Sequence, residues 1–312
     1  MSGGPPHLLL ADDGSPAAAE AIAAAARLVP DARATVVTVC VPWIDLERAA
    51  MARIALPDSI IVPAARELRA ELESAARRIA EEGRDRAAAA GLDAVARVQE
   101  SISPSRGLCD AARELRADAI VCGASGHGGV YRAVIGTTTG SLLHHAPVWV
   151  LVVPPDGKPA NGPVLIGYDG SAQAKDAIRA AGKLFPGRRA LIAHAWSAPL
   201  ESSYAGSALP ATPADEVQEV AQTLVAMFEA AAADLTEEGV ALAAQAGLTA
   251  DPLELRSTRR AWRPLEAAAR EHRAAVIVVG SRGRGTARAT VLGSVSSGLA
   301  YNATVPVLVV RD

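Results

Sequence analysis

A chain of 312 residues with a formal net charge of -3 and a pI near 6.1 has room for two ordinary cores and no overall electrostatic pull toward nucleic acid or an anionic membrane. Half of it is hydrophobic but only 3% is aromatic, so the cores must be built from Ala, Val, Leu and Ile, which suits helices packed on parallel strands. No apolar run approaches the roughly 20 residues of a membrane helix, and Met1 to Leu10 lacks the basic start of a secretory signal, so a cytoplasmic protein is expected.

In chain order, His7 to Ala11 reads as a short apolar strand that ends at Asp12-Asp13-Gly14-Ser15-Pro16, where Ser15 can cap a helix and Pro16 can take its first turn. The Ala-rich helix runs to about Val29, and the β-branched Ala34 to Val41 forms a second strand. Pro42 to Pro63 fits neither period and is predicted to be a loop or short helical excursion. A long Arg- and Glu-rich helix follows over about Ala64 to Ala90. Asp93 to Gln99 is a third strand, Ser105 to Arg116 a helix, Asp118 to Cys122 a fourth strand, Thr137 to His145 a helix and Val148 to Val153 a fifth strand. Cys40, Cys109 and Cys122 are odd in number and two lie in apolar runs, so they read as buried thiols rather than disulfides or metal ligands.

The stretch from Pro154 to Pro163 is rich in proline and glycine and marks a boundary, giving domains 1–154 and 163–312 with a linker over 155–162. After it the order repeats. Val164 to Tyr168 leads into Asp169-Gly170-Ser171, a helix follows to Leu184, and Arg189 to Trp196 is a strand. Ser197 to Pro213 reads as a loop, with a long helix to about Ala246, a short strand from Leu253 to Ser257, a helix from Pro264 to His272 and a strand from Ala275 to Val279. Five strands alternating with helices in each half predict an α/β fold of two tandem, doubly wound, five-stranded parallel sheets of Rossmann-like type.

The fourth strand of each half runs into a glycine loop of one pattern, G-x2-G-x9-G-[ST]. Its positions are Gly123, Gly126, Gly136 and Thr137 in the first half and Gly280, Gly283, Gly293 and Ser294 in the second. A strand that enters such a loop and then a helix start can turn several backbone N–H groups toward one concavity, as phosphate oxygens require. In an open parallel sheet the first and fourth strands flank the switch in strand order, so Asp13 and Asp169 are placed to reach the same crevice as the loops. Ser15 and Ser171 read as helix caps, and Asp12 is set aside because Tyr168 replaces it in the second half.

These residues resemble the universal stress protein family, as a tandem pair covering nearly the whole chain. The shared features are a hydrophobic strand into Asp-Gly-Ser, the glycine loop, and a terminal Val-Leu-Val-Val strand at Val150 and Val307. The resemblance implies a fold like that of the adenine nucleotide alpha hydrolases and, in the nucleotide-binding branch, ATP or a related adenine nucleotide; Mg²⁺ is expected only as a companion of a bound triphosphate, held by phosphates and water. It places Asp13 and Asp169 on the adenosine moiety and the backbone near Cys40 and Ala195 on the base. It puts Gly123, Gly126, Gly136 and Thr137 on phosphate and ribose, with Thr138 and Thr139 adjacent. In the second half these become Gly280, Gly283, Gly293 and Ser294, with Val295 and Ser296 adjacent. Pairing of the terminal strands between the domains is implied as well, while Trp149, standing where the family often has proline, departs from that seam; a homodimer is expected because an exposed Val-rich edge is sticky.

The loops differ in charge. The second carries Arg282, Arg284 and Arg288, the first His127 and Arg132, so His127 is a candidate phosphate contact and Arg282 a bidentate one that would favour triphosphate at the second site. Neither a G-x4-G-K-[ST] loop nor a paired-carboxylate or Cys/His metal spacing occurs, and no base or nucleophile is apparent. The leading expectation is therefore a regulator of the stress response that uses occupancy as its signal. A slow ATPase or phosphate- or adenylate-transferring enzyme, and a scaffold that needs no nucleotide, stand as the alternatives.

Overall fold

The computed structural model describes residues 4–41, 58–124, 135–155, 157, 161–197, 214–257, 260–283 and 292–311. The chain divides into two compact units, Met1–Gly157 and Lys158–Asp312. The first runs β1 (His7–Ala11), α1 (Pro16–Leu28), β2 (Arg33–Cys40), α2 (Asp58–Ala89), β3 (Asp93–Glu100), α3 (Pro104–Leu115), β4 (Ala119–Gly123), α4 (Thr137–His145) and β5 (Trp149–Val153). The second runs β6 (Val164–Gly167), α5 (Ala172–Leu184), β7 (Arg189–Trp196), α6 (Ala214–Gln245), β8 (Thr249–Arg256), α7 (Trp262–Glu271), β9 (Val276–Gly280), α8 (Ser294–Asn302) and β10 (Val307–Val310).

Within the first unit the strands lie in the order β3-β2-β1-β4-β5, and within the second β8-β7-β6-β9-β10, each neighbouring pair parallel. Successive residues of a strand face opposite sides of its sheet. Leu8, Leu9 and Leu10 of β1, Ala119 to Cys122 of β4 and Val276 to Val279 of β9 are all buried, so both faces of each sheet are covered. In the first unit α1 packs with α2 and α3 with α4; in the second α5 packs with α6 and α7 with α8. This is the α/β, doubly wound parallel architecture read from the pattern of elements. No helix among the described residues is long and apolar enough to cross a membrane.

Two elements begin four or more residues earlier than the sequence predicts. The backbone is already helical from Asp58, with Pro63 as the sixth residue of α2, where its missing amide removes the single helical bond to the carbonyl of Ser59; residues 42–57, the rest of the predicted loop, lie outside the described residues. Strand β8 starts at Thr249 rather than Leu253 and includes Pro252, paired in register with Ile192. Proline argues against a central strand, but β8 hydrogen-bonds within its unit only to β7, and an edge strand needs ladder donors on one side alone.

Candidate functional site

Strands β1 and β4 are hydrogen-bonded neighbours, with Leu8 opposite Ala119 and Leu10 opposite Val121, although the chain first leaves β1 in the other direction to build β2 and β3. The strand order therefore reverses between β1 and β4, and a crevice opens beyond their carboxyl ends. Strands β6 and β9 repeat this relationship, with Leu165 opposite Ile277. Asp13 follows β1 and Asp169 follows β6, while the glycine loops leave β4 and β9, so each half brings its Asp-Gly-Ser turn and its glycine loop to one sheet end.

The two turns have the same build. Asp13 Oδ1 accepts the Ser15 amide at 3.0 Å and Asp169 Oδ1 accepts the Ser171 amide at 3.0 Å. Between them Gly14 and Gly170 hold φ of 78° and 76°, a left-handed conformation that glycine adopts without a Cβ penalty. The Ser15 and Ser171 hydroxyls then accept the Ala18 and Ala174 amides, each at 3.2 Å, and so cap α1 and α5. Each turn thereby fixes its aspartate through one carboxylate oxygen.

The loops after β4 and β9 are closed at the neck. The Gly136 amide donates to the Ala124 carbonyl at 2.8 Å and the Gly293 amide to the Ser281 carbonyl at 2.8 Å. Below the neck a hydroxyl in the first turn of the following helix ties back to the strand end: Thr139 Oγ1 donates to the Gly123 carbonyl at 2.8 Å, and Ser296 Oγ to the Gly280 carbonyl at 2.6 Å. Both hydroxyl residues are buried, whereas Thr137 and Ser294 are exposed and Thr138 and Val295 half-buried. Helices α4 and α8 begin on Gly136 and Gly293, which have no side chain to accept an N-terminal amide. Amides left this way at a helix start attract an anion.

The glycines divide by what stands next to them. A Cβ on Gly123 would lie 2.9 Å from the Ala17 carbonyl oxygen, and one on Gly280 would lie 2.8 Å from that of Gln173, so these two let α1 and α5 pack directly over the strand ends. Gly283 is different: its Cβ would lie 2.5 Å from Asp169 Oδ2. The second loop therefore passes directly over the aspartate of the turn, with half-buried Arg282 preceding it. Gly126 and His127 lie outside the described residues, as do Arg284 and Arg288. An open cleft of about 630 Å³ has Ser294 and Val295 in its lining, together with Arg260, Trp262 and Tyr301.

At the end of the second strand, β2 and β7 have equal length and run Arg33–Cys40 and Arg189–Trp196, so Cys40 matches Trp196 and Ala195 matches Val39. The sequence-based pairing of Cys40 with Ala195 is thus offset by one residue, which in a strand exchanges the two faces. The Cys40 carbonyl accepts the Ser101 amide at 3.1 Å and that of Trp196 accepts Ser257 at 2.7 Å, an equivalence that confirms the register. Burial, with the nearby Glu73 and Glu100 carboxylates, raises the Cys40 thiol above its ordinary range.

Asp12, set aside for want of a counterpart, is a buried carboxylate. Its Oδ1 accepts the Gly14 amide at 2.9 Å, and its Oδ2 pairs with Arg86 Nη1 of α2 at 3.4 Å. Gly83 makes the room, since any Cβ there would collide with Asp12 Oδ2. Burial holds the Asp12 carboxyl above the usual carboxylate range, against the lowering pull of the Gly14 amide and Arg86. Repetition between the halves, the signal that located the other candidates, could not reveal it.

Tandem parallel α/β units, each with an Asp-Gly-Ser turn and a closed glycine loop at the strand-order switch, define a two-domain protein of doubly wound α/β architecture. The model of the universal stress protein family matches residues 6–154 and again 161–311, and the chain belongs to that family. A universal stress protein of Mycolicibacterium smegmatis is 35% identical over 219 residues, 67% of this chain and 66% of that protein. One from Mycobacterium tuberculosis is 30% identical over 199 residues, 62% of this chain and 61% of that protein. The matched stretch thus spans just under two thirds of these relatives. Among solved structures, a universal stress protein from Archaeoglobus fulgidus has the same fold with a TM-score of 0.60, covering 98% of both chains at 19% identity.

Proposed function

We propose that each half binds one adenine nucleotide, ATP foremost, with its phosphates over the first turn of α4 or α8 and its adenosine side toward Asp13 or Asp169. The observation that carries the reading is the approach of Gly283 to Asp169, because it joins the loop, the turn and the start of α8 into one continuous surface. The residues fit a polyphosphate: glycine-started helices offer amides and a favourable dipole, and exposed Thr137 and Ser294 offer hydroxyl donors beside them. Arg282 adds a guanidinium to the second loop, which favours triphosphate there over the first site.

Among the described residues no group of three or more His, Cys, Asp or Glu side chains could hold a metal ion, so Mg²⁺ would be carried by phosphate oxygens and water. When bound, it offsets triphosphate charge. The chain's own part is to grip and orient the nucleotide, and a conformation that binds it more tightly gains population on occupancy. Such a protein reports nucleotide level to a partner in the stress response.

The test is to purify the protein without added nucleotide, denature it and identify the released compounds by chromatography, then repeat after loading with ATP. An adenine nucleotide released from the loaded protein supports the reading. No bound nucleotide, together with a melting temperature unmoved by ATP, contradicts it and favours a scaffold; steady ADP release lost in Gly283→Val favours an enzyme.

A further inference from the structure

Helices α2 and α6 occupy the same place in their units and are each 32 residues long, but their surfaces differ. Helix α2 carries six arginines against seven carboxylates, and α6 carries seven carboxylates with no lysine or arginine. Arg69 of α2 pairs with Glu73 and Glu100, each at 2.8 Å, so that helix presents an ordinary solvated, self-neutralising face. In α6, Glu238 pairs with Lys175 of α5 at 2.8 Å, near the other end of the helix.

The outer half of α6 also exposes an apolar stripe. Val220 is 58% exposed, Met227 63% and Phe228 38%, with half-buried Leu224 between them. The spacing i, i+4, i+7, i+8 puts all four on one flank of the helix. The helix is seated through another side, where Val225 packs against Trp196 and Ala232. Exposed Glu219 and Glu229 stand among the solvent-facing residues of the same turns.

We propose that this stretch of α6 docks a basic amphipathic helix of a partner protein. Such a segment would lay its apolar side along Val220, Leu224, Met227 and Phe228 and set its lysines or arginines against the carboxylates of α6. Charge complementarity selects this occupant: a second copy of α6 would bring like charges together, and an anionic membrane would be repelled. The proposal rests on the surface of α6 alone, so docking there does not depend on the nucleotide reading.

The experiment uses the full chain and two labelled amphipathic peptides of roughly 18 residues, long enough for about five helical turns. Both have a leucine face; the polar face is lysine in one and glutamate in the other. Fluorescence anisotropy is expected to show saturable binding of the lysine peptide, weakened at least about tenfold by high salt. Met227→Lys combined with Val220→Lys should weaken it at least about tenfold, with an unchanged circular dichroism spectrum and melting temperature. A control, Val95→Lys on exposed β3, should leave binding intact. Absence of binding, equal binding of the glutamate peptide, or indifference to the α6 substitutions would overturn the proposal. So would sedimentation showing that the stripe is consumed by self-association, which Met227→Lys abolishes.

Discussion

Gly283 passes over Asp169 so closely that a side chain at 283 would begin 2.5 Å from Asp169 Oδ2, while the other oxygen of that carboxylate is engaged by the Ser171 amide. The carboxylate cannot yield without breaking its turn. Gly283→Ala is therefore expected to weaken ATP binding at the second site by about tenfold, or about 1.4 kcal/mol. In an Asp169→Ala background the same change should cost little more, and a double-mutant cycle of binding constants checks this coupling.

Gly280 and Gly123 make a contrasting prediction. Their neighbours are backbone atoms of Gln173 and Ala17, which cannot swing aside. Gly280→Ala should destabilise the second unit by about 1–3 kcal/mol with or without nucleotide, as overpacking does. Urea unfolding in the absence and presence of ATP measures it.

The ties from Thr139 and Ser296 to the strand-end carbonyls are buried and short. Thr139→Val and Ser296→Ala should each cost about 1–2 kcal/mol, because a buried carbonyl loses its donor. The measurement is again chemical denaturation. Cys122 lies beside Thr139 and has its thiol pushed up to about 12 by burial, so a thiol reagent at pH 8 should label it only when the first unit opens.

Asp12 makes the first unit sensitive to pH in a direction opposite to most carboxylates. Burial raises its folded-state value above the ordinary carboxylate value of 3.8, so just above that pH the folded chain holds a proton that the unfolded chain has released. Its contribution to stability then falls as pH rises through that window. Asp12→Asn removes the buried charge and keeps an oxygen for the Gly14 amide. The difference in melting temperature, mutant minus native, should grow as pH rises above 3.8 and level off once Asp12 is ionised; a flat difference would refute this.

Much of this was legible in the sequence because burial on both sheet faces leaves continuous apolar runs, and because the turns and loops recur. The helix Thr137–His145 and the strand Arg189–Trp196 were predicted to the residue. Misplaced features lacked such a signal. Pro252 hid the start of β8, since sequence does not say which strand is an edge. Cys40 and Ala195 were paired one residue out of step because the short apolar runs tolerate either register. Asp12 is set aside because Tyr168 stands in its place in the second half, and its partners Gly83 and Arg86 lie some seventy residues away, on a helix that only folding brings beside it. The packing reason for Gly123 and Gly280 was equally invisible, since a loop glycine looks alike whether it faces a helix or a ligand.

The central claim, one nucleotide per half held at the glycine loop and its aspartate, is tested most directly by counting. Calorimetric titration of ATP into nucleotide-free protein is expected to give two nucleotides per native chain and one per chain of the Gly283→Val variant. Absence of heat from the native chain, or an identical stoichiometry and affinity in the variant, would contradict it.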